Sequence, residues 1–204
     1  KLQPLVDEIR AAGGVCHPFE IDARDEEAMV ALFAHIEEAI GPLEVVVFNI
    51  GANVRFNILE TTSRVYRKVW ELAAFAGFLS GREATRFMLP RGRGTIIFTG
   101  ATASLRGRDG FAAFAGAKHA LRALAQSMAR ELGPQGIHVA HVIVDGAIDT
   151  PWIRETFPEM AAEKGPLDGL LNPDDIAENY YQLVLQPRSA WTHELDLRPW
   201  IETW

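Results

Sequence analysis

Apolar residues recur along this chain in two alternating rhythms. Five short runs read as strands: 15–21, 43–48, 94–99, 137–144 and 193–197. Three of them, around Val45-Val46-Val47, Ile96-Ile97-Phe98 and Val142-Ile143-Val144, are continuously apolar. Strands covered on both faces read this way, which predicts a parallel sheet between two helical layers. Helical spacing fills the intervals. Leu5 and Ile9 share one face of a first helix, which Gly13-Gly14 closes as a left-handed cap. Asp25 is placed as an N-cap, with Glu26 and Glu27 favourable against the helix dipole, ahead of Met29, Leu32, Phe33, Ile36 and Ile40. Gly41-Pro42 ends that helix. A long helix is expected over 63–89, apolar almost all round in its middle with Trp70, Phe75 and Phe78. The next, over 111–132, carries Leu121, Leu124, Met128 and Leu132 on one stripe and Arg122, Gln126 and Arg130 on another. Asn172-Pro173 starts a last helix with Ile176, Tyr180, Leu183 and Val184. Strands alternating with helices predict an α/β, doubly wound, three-layer fold in one domain over 1–204. Residues 151–172 are the least periodic and read as a flap, or as an ordinary surface connection.

Composition narrows the function. The chain has 204 residues and a formal net charge of −7, which argues against a nucleic-acid partner. No apolar run is long enough to span a bilayer, and no signal segment opens the chain. The single cysteine, Cys16, sits at the start of the first strand-like run and fits a reducing cytoplasm. His138 and His141 are three apart in a strand, so they face opposite ways, and no metal site is expected. The chain opens on Lys1-Leu2-Gln3-Pro4 already in helical spacing, which reads as a chain with residues upstream.

In an open parallel sheet, ligands bind beyond the carboxyl ends of the strands. Three strand ends lead into small-residue turns: Asn49-Ile50-Gly51-Ala52-Asn53, Gly100-Ala101-Thr102-Ala103-Ser104 and Asp145-Gly146-Ala147-Ile148-Asp149-Thr150. Small residues let a backbone approach a flat ligand. In order and spacing these turns resemble the short-chain dehydrogenase/reductase family. Asn49-Ile50-Gly51 is similar to the family's Asn-Ala-Gly turn. Asp22 resembles the Asp that contacts the adenine ring. Phe114-Ala115-Gly116-Ala117-Lys118 stands where the family has Tyr-x-x-x-Lys, and Asp145 to Thr150 resembles its Pro-Gly-x-x-x-Thr segment. The resemblance covers nearly the whole chain. It implies a Rossmann-like fold and an NAD or NADP cofactor held by Asp22, Asn49, Gly51, Thr99, Lys118, Gly146, Ile148 and Thr150. It also implies hydride transfer to or from a carbonyl or alcohol substrate, and a homodimer or homotetramer built on helices 63–89 and 111–132.

The resemblance fails at the chemistry. The family uses a Tyr as acid/base, a Lys that tunes it, a Ser that orients the substrate oxygen and an Asn that supports a proton relay. Here Phe114 stands at the Tyr position, Ala101 at the Ser position and Ala74 at the Asn position; only Lys118 is kept. Ser104, Thr102, Tyr66, Asp145 and Asp149 are the candidate substitutes, each with an ordinary structural role as its alternative. The family's opening strand and Gly-rich, pyrophosphate-binding turn have no counterpart here, so roughly 35 to 40 residues are expected upstream. Weak or no dinucleotide binding is expected of this chain alone. Three readings remain open: an oxidoreductase with an atypical or impaired site, a non-catalytic dinucleotide- or metabolite-binding relative, and a purely structural subunit.

Overall fold

The computed structural model describes residues 2–203. Four strands form one sheet in the order β1 (Val45–Phe48), β2 (Gly94–Thr99), β3 (Ile137–Val144) and β4 (Glu194–Leu197), and every pair is parallel. Helix α1 (Gln3–Ala11) and helix α2 (Glu26–His35) precede the sheet. Between β1 and β2 run α3 (Ser63–Trp70) and α4 (Ala76–Met88). Helix α5 (Ala112–Leu132) joins β2 to β3, and α6 (Pro151–Thr156), α7 (Pro158–Lys164) and α8 (Pro173–Leu185) join β3 to β4. The parallel sheet flanked by helices matches the expected α/β class.

Strand alternation divides the core between two layers. Ile96, Phe98, Ile137 and Val139 meet α2, α4 and α5 through Phe33, Leu79 and Leu121. Ile97, Ala140, Val142 and Val144 face the other way, onto Leu183 and its neighbours on α8. Small residues on α4 bring it close to α5. A Cβ on Gly77 would stand 2.5 Å from Leu121 Cδ1, and one on Gly81 would stand 2.9 Å from Met128.

Local signals set the helix starts. The Asp25 side chain accepts from the Ala28 N–H, Thr62 from Val65 and Asn172 from Asp174, each meeting a donor that the first turn leaves unpaired. Gly13 has φ of 84°, the left-handed cap expected there.

Several expectations need correction. The run 15–21 forms no strand. A strand exists by pairing, and among the described residues no strand pairs with this stretch, where Val15 is 82% exposed. Cys16 therefore opens no strand. The first helix anchors through buried Val6, whereas Leu5 is exposed. Of the three apolar strands, β2 and β3 are covered on both faces. β1 is an edge strand, and Val47 is 47% exposed. The long helix is interrupted by a π-turn at Glu71–Phe75, and Trp70 and Phe78 on either side keep much of their surface exposed. The stretch 151–172 holds the short helices α6, capped by Thr150, and α7, each started by a proline.

Candidate active site

Parallel pairing aligns the carboxyl ends of all four strands along one edge, so the turns that follow them share a cleft. Its volume is about 1150 Å³, and Asn49, Ala101, Phe114, Asp145, Ile148 and Thr150 all line it. The expected convergence of turns is thus present.

Lys118 lies buried behind the cleft lining, next to Thr99 and Phe114, which line it. Its Nζ donates to the Thr99 carbonyl at 2.7 Å and the Ile50 carbonyl at 3.4 Å. It lies 5.9 Å from the Phe114 ring centroid, the neighbour one helical turn away. Burial pushes its ammonium down from the ordinary 10.5 to about 8. A Cβ on Gly51 would meet Lys118 Cε and Nζ at 3.6 Å, so Gly51 lies directly against the amine. Phe114, Ala101 and Ala103 pack in one apolar cluster with Phe111. Ala101 and Phe114 therefore lie in one cluster on the cleft wall.

The substitutes separate cleanly. Ser104 is fully buried, and its Oγ accepts from the Ala101 N–H, holding the turn rather than facing the cleft. Tyr66 sits on α3 with its hydroxyl against Gly116, a position off the cleft wall. Asp149 is held by Arg154 through two bonds of 2.6 Å. Asp145 lines the cleft: Oδ1 accepts the Thr102 hydroxyl, and Oδ2 lies 3.5 Å from Arg106 and 3.6 Å from Arg198. Ala74 is buried within the π-turn and lines no part of the cleft.

The expected cofactor set divides. Asp22 is not at the cleft. It borders a separate shallow depression with Trp70, Glu71 and Phe75, and its carboxylate is held by Arg24, which lowers its pKa to about 2. Thr99 spends its hydroxyl on Tyr180, at 2.8 Å. Gly146 packs tightly on Pro199, where a Cβ would stand 2.8 Å from Cδ. Ile148 bridges to Leu171, and Thr150 caps α6. Tyr180 and Arg106 were not singled out from the sequence. Tyr180 reads there as one more member of an apolar helix stripe. Arg106-Gly107-Arg108 is a visible basic cluster, but only the fold puts it at the cleft.

Beneath the Gly100 turn, His141 is fully buried. Its Nδ1 lies 3.1 Å from Glu194 Oε2, and Glu194 takes two bonds of 2.6 Å from Arg122. Burial lowers the His141 pKa to about 4. Among the described residues no group of three metal-ligating side chains occurs, and no helix is long and apolar enough to cross a membrane.

The geometry has counterparts among known proteins. A family profile described as enoyl-(acyl carrier protein) reductase matches residues 1–193. The chain is 33% identical over 165 residues to a protein of Xanthobacter autotrophicus called inactive 2-(S)-hydroxypropyl-CoM dehydrogenase 2, covering 77% of this chain and 72% of that one. A crystal structure of a short-chain dehydrogenase from Rhodopseudomonas palustris is 53% identical, with a TM-score of 0.81 over 98% of this chain and 82% of its own. An actinorhodin polyketide ketoreductase variant solved with NADPH shares the fold, at 24% identity and a TM-score of 0.86 over 97% of this chain and 82% of its own. Across similar curated relatives the chain spans between 47% and 75% of their length. With the strand-end cleft and its buried lysine, these matches establish that the chain belongs to the short-chain dehydrogenase/reductase family.

Proposed function

We propose that this chain carries the nicotinamide-facing part of an NAD(P)-dependent oxidoreductase acting on a carbonyl or alcohol, with an altered proton-transfer site. The observation that carries the reading is Lys118. A buried ammonium just behind the lining of a strand-end cleft, against Thr99 and Phe114, has carbonyl partners for two of its three protons and keeps a third donor for a ribose hydroxyl. The cleft volume is somewhat above the usual range for small-molecule sites, leaving room for a nicotinamide and a small substrate together. Asn49 and Thr150 stand on the same walls. The cofactor, when bound, supplies or takes up the hydride. The NADPH in the solved ketoreductase supports the choice of ligand class.

The chain's own residues decide the proton's route. Phe114 has no proton to give. Asp145, with Thr102 on its Oδ1, is the cleft-facing group best placed to take its part. A second reading, a non-catalytic dinucleotide- or metabolite-binding relative, is favoured by Phe114 and Ala101 and by the relative that is itself named inactive. Self-association through α3, α4 and α5 belongs to the same proposal, on the strength of the exposed Trp70 and Phe78.

The test has two arms. Saturation-transfer NMR with NADH and NADPH is expected to mark the nicotinamide protons more strongly than the adenine protons. NAD(P)H oxidation is then followed against small ketones for the parent and for Phe114→Tyr with Ala101→Ser. A positioned acid contributes about 10²- to 10⁴-fold, so the double variant is expected to exceed the parent. An active parent that loses its rate with Asp145→Asn supports the substituted acid. Binding without turnover in either protein selects the non-catalytic reading. No binding by either refutes both.

A further inference from the structure

We infer that Arg106 is a substrate-recognition residue and that the substrate is a small oxo or hydroxy acid, whose carboxylate Arg106 grips. This rests on the oxidoreductase reading only for the substrate's carbonyl or hydroxyl; the carboxylate site stands on its own geometry.

Arg106 lies in the loop between the Ala101 turn and α5 and lines the cleft. Among the described residues its guanidinium makes one contact, at 3.5 Å to Asp145 Oδ2, and no hydrogen bond. A guanidinium carries five N–H donors in a rigid fork. One long ion pair fixes its direction and leaves the fork open to an acceptor entering from the cleft. Asp145 Oδ1 accepts the Thr102 hydroxyl, and its buried Oδ2, which takes no hydrogen bond, meets Arg106 at 3.5 Å and Arg198 at 3.6 Å. Asp145 is 1% exposed, so it backs the guanidinium from inside the fold.

The charged residues that line the cleft are Arg106, Arg108, Asp145 and Glu202. Glu202, also on the cleft wall, is held by Lys164. Arg108 lines the same mouth, and Arg55 stands 5.9 Å over the Phe111 ring.

The apolar part of the lining is Ala101, Ala103, Phe111 and Phe114. A ligand that fits has a short carbon skeleton for that wall and an anion for the fork. A plain ketone would use the wall alone. Planar, bidentate pairing of arginine with carboxylate is the geometry such a fork selects.

The experiment compares 2-oxobutanoate with 2-butanone, a pair of similar skeletons that differ in the carboxylate. Both are titrated into this chain without cofactor and followed by saturation-transfer NMR, so failure of nicotinamide binding cannot be mistaken for failure here. The oxo acid is expected to bind at least about tenfold more tightly. Arg106→Gln is expected to bring the two within about twofold, and Arg106→Lys to fall between, because it keeps the charge and loses the fork. Arg93→Gln, at the opposite end of β2 and paired with Glu44, is expected to leave the ratio unchanged. Arg106 is partly exposed, so its replacement leaves the core intact, and circular dichroism verifies the fold. Inorganic phosphate is the rival anion. Equal binding of the oxo acid and the ketone overturns the proposal. So does a preference that survives Arg106→Gln. Arg106-dependent binding of phosphate more tightly than 2-oxobutanoate also overturns it, because it makes this a phosphate site.

Discussion

Replacing Lys118 with Met separates the cost of a buried charge from everything else the residue does. Met keeps the unbranched stem and removes the ammonium. Burial lowers the ammonium's pKa from 10.5 to about 8. At about 1.36 kcal/mol per pH unit, the charged form is disfavoured in the fold by about 3 kcal/mol. The sign follows from proton counting. Between pH 8 and 10.5 the unfolded chain holds the lysine proton and the folded chain has released it, so stability rises with pH across that window. The gain is complete above the unfolded pKa and is lost as pH falls toward 8. Loss of the bonds to the Thr99 and Ile50 carbonyls adds a penalty of about 1–3 kcal/mol that does not depend on pH. The stability of the parent minus that of Lys118→Met is therefore expected to climb by about 2 kcal/mol from pH 7 to 9.5, and by about 3 kcal/mol by pH 10.5. Tyr180, whose pKa is raised by burial, titrates in both proteins and cancels in the difference. The assay is urea unfolding followed by tryptophan fluorescence for both proteins across this range. A difference that stays flat within about 0.5 kcal/mol would refute the claim that a desolvated amine lies behind the cleft.

Other expectations concern the layers beneath the cleft. His141, with its pKa lowered to about 4, contributes stability that is present above pH 6.5 and lost as pH falls toward 4. His141→Gln should therefore flatten the acid limb by about 3 kcal/mol in unfolding measured at pH 4 and pH 7; an unchanged limb would place that titration elsewhere. Gly77→Ala puts a methyl 2.5 Å from Leu121 Cδ1 and 3.2 Å from Phe48 Cε1. Despite a helix-propensity gain of about 1 kcal/mol, overpacking should leave a net loss of about 1–2 kcal/mol, and a higher melting temperature would contradict the close α4–α5 approach.

Much of this protein was legible in the residues themselves because it depends on local rules. Asp25, Thr62 and Asn172 cap helices, since a short side-chain acceptor beside an unpaired N–H needs no distant partner. The apolar runs of β2 and β3 fixed their burial, and the spacing from Ala101 through Phe114 to Lys118 brought the cleft into view before any coordinate did. That Phe stands at 114 and Ala at 101 is likewise a fact of sequence. What needed the tertiary structure was whatever depends on a partner far along the chain. The run 15–21 has strand composition but no strand beside it, and β1 lies at an edge, so Val47 meets solvent where its apolar pattern implied cover. Ser104, Tyr66 and Asp145 are equally eligible on paper. Only packing turns Ser104 inward to the Ala101 amide, sets Tyr66 against Gly116 and leaves Asp145 on the cleft. Asp22 keeps the family's residue type, and only the fold shows it in a second depression apart from the strand-end cleft, held by Arg24. Arg106 is a surface charge in the sequence and becomes an aimed donor only when Asp145, 39 positions later, is folded behind it. Covalent order determines which groups exist and which local turns they make; the long-range pairing of strands and charges decides which of those groups face the same space.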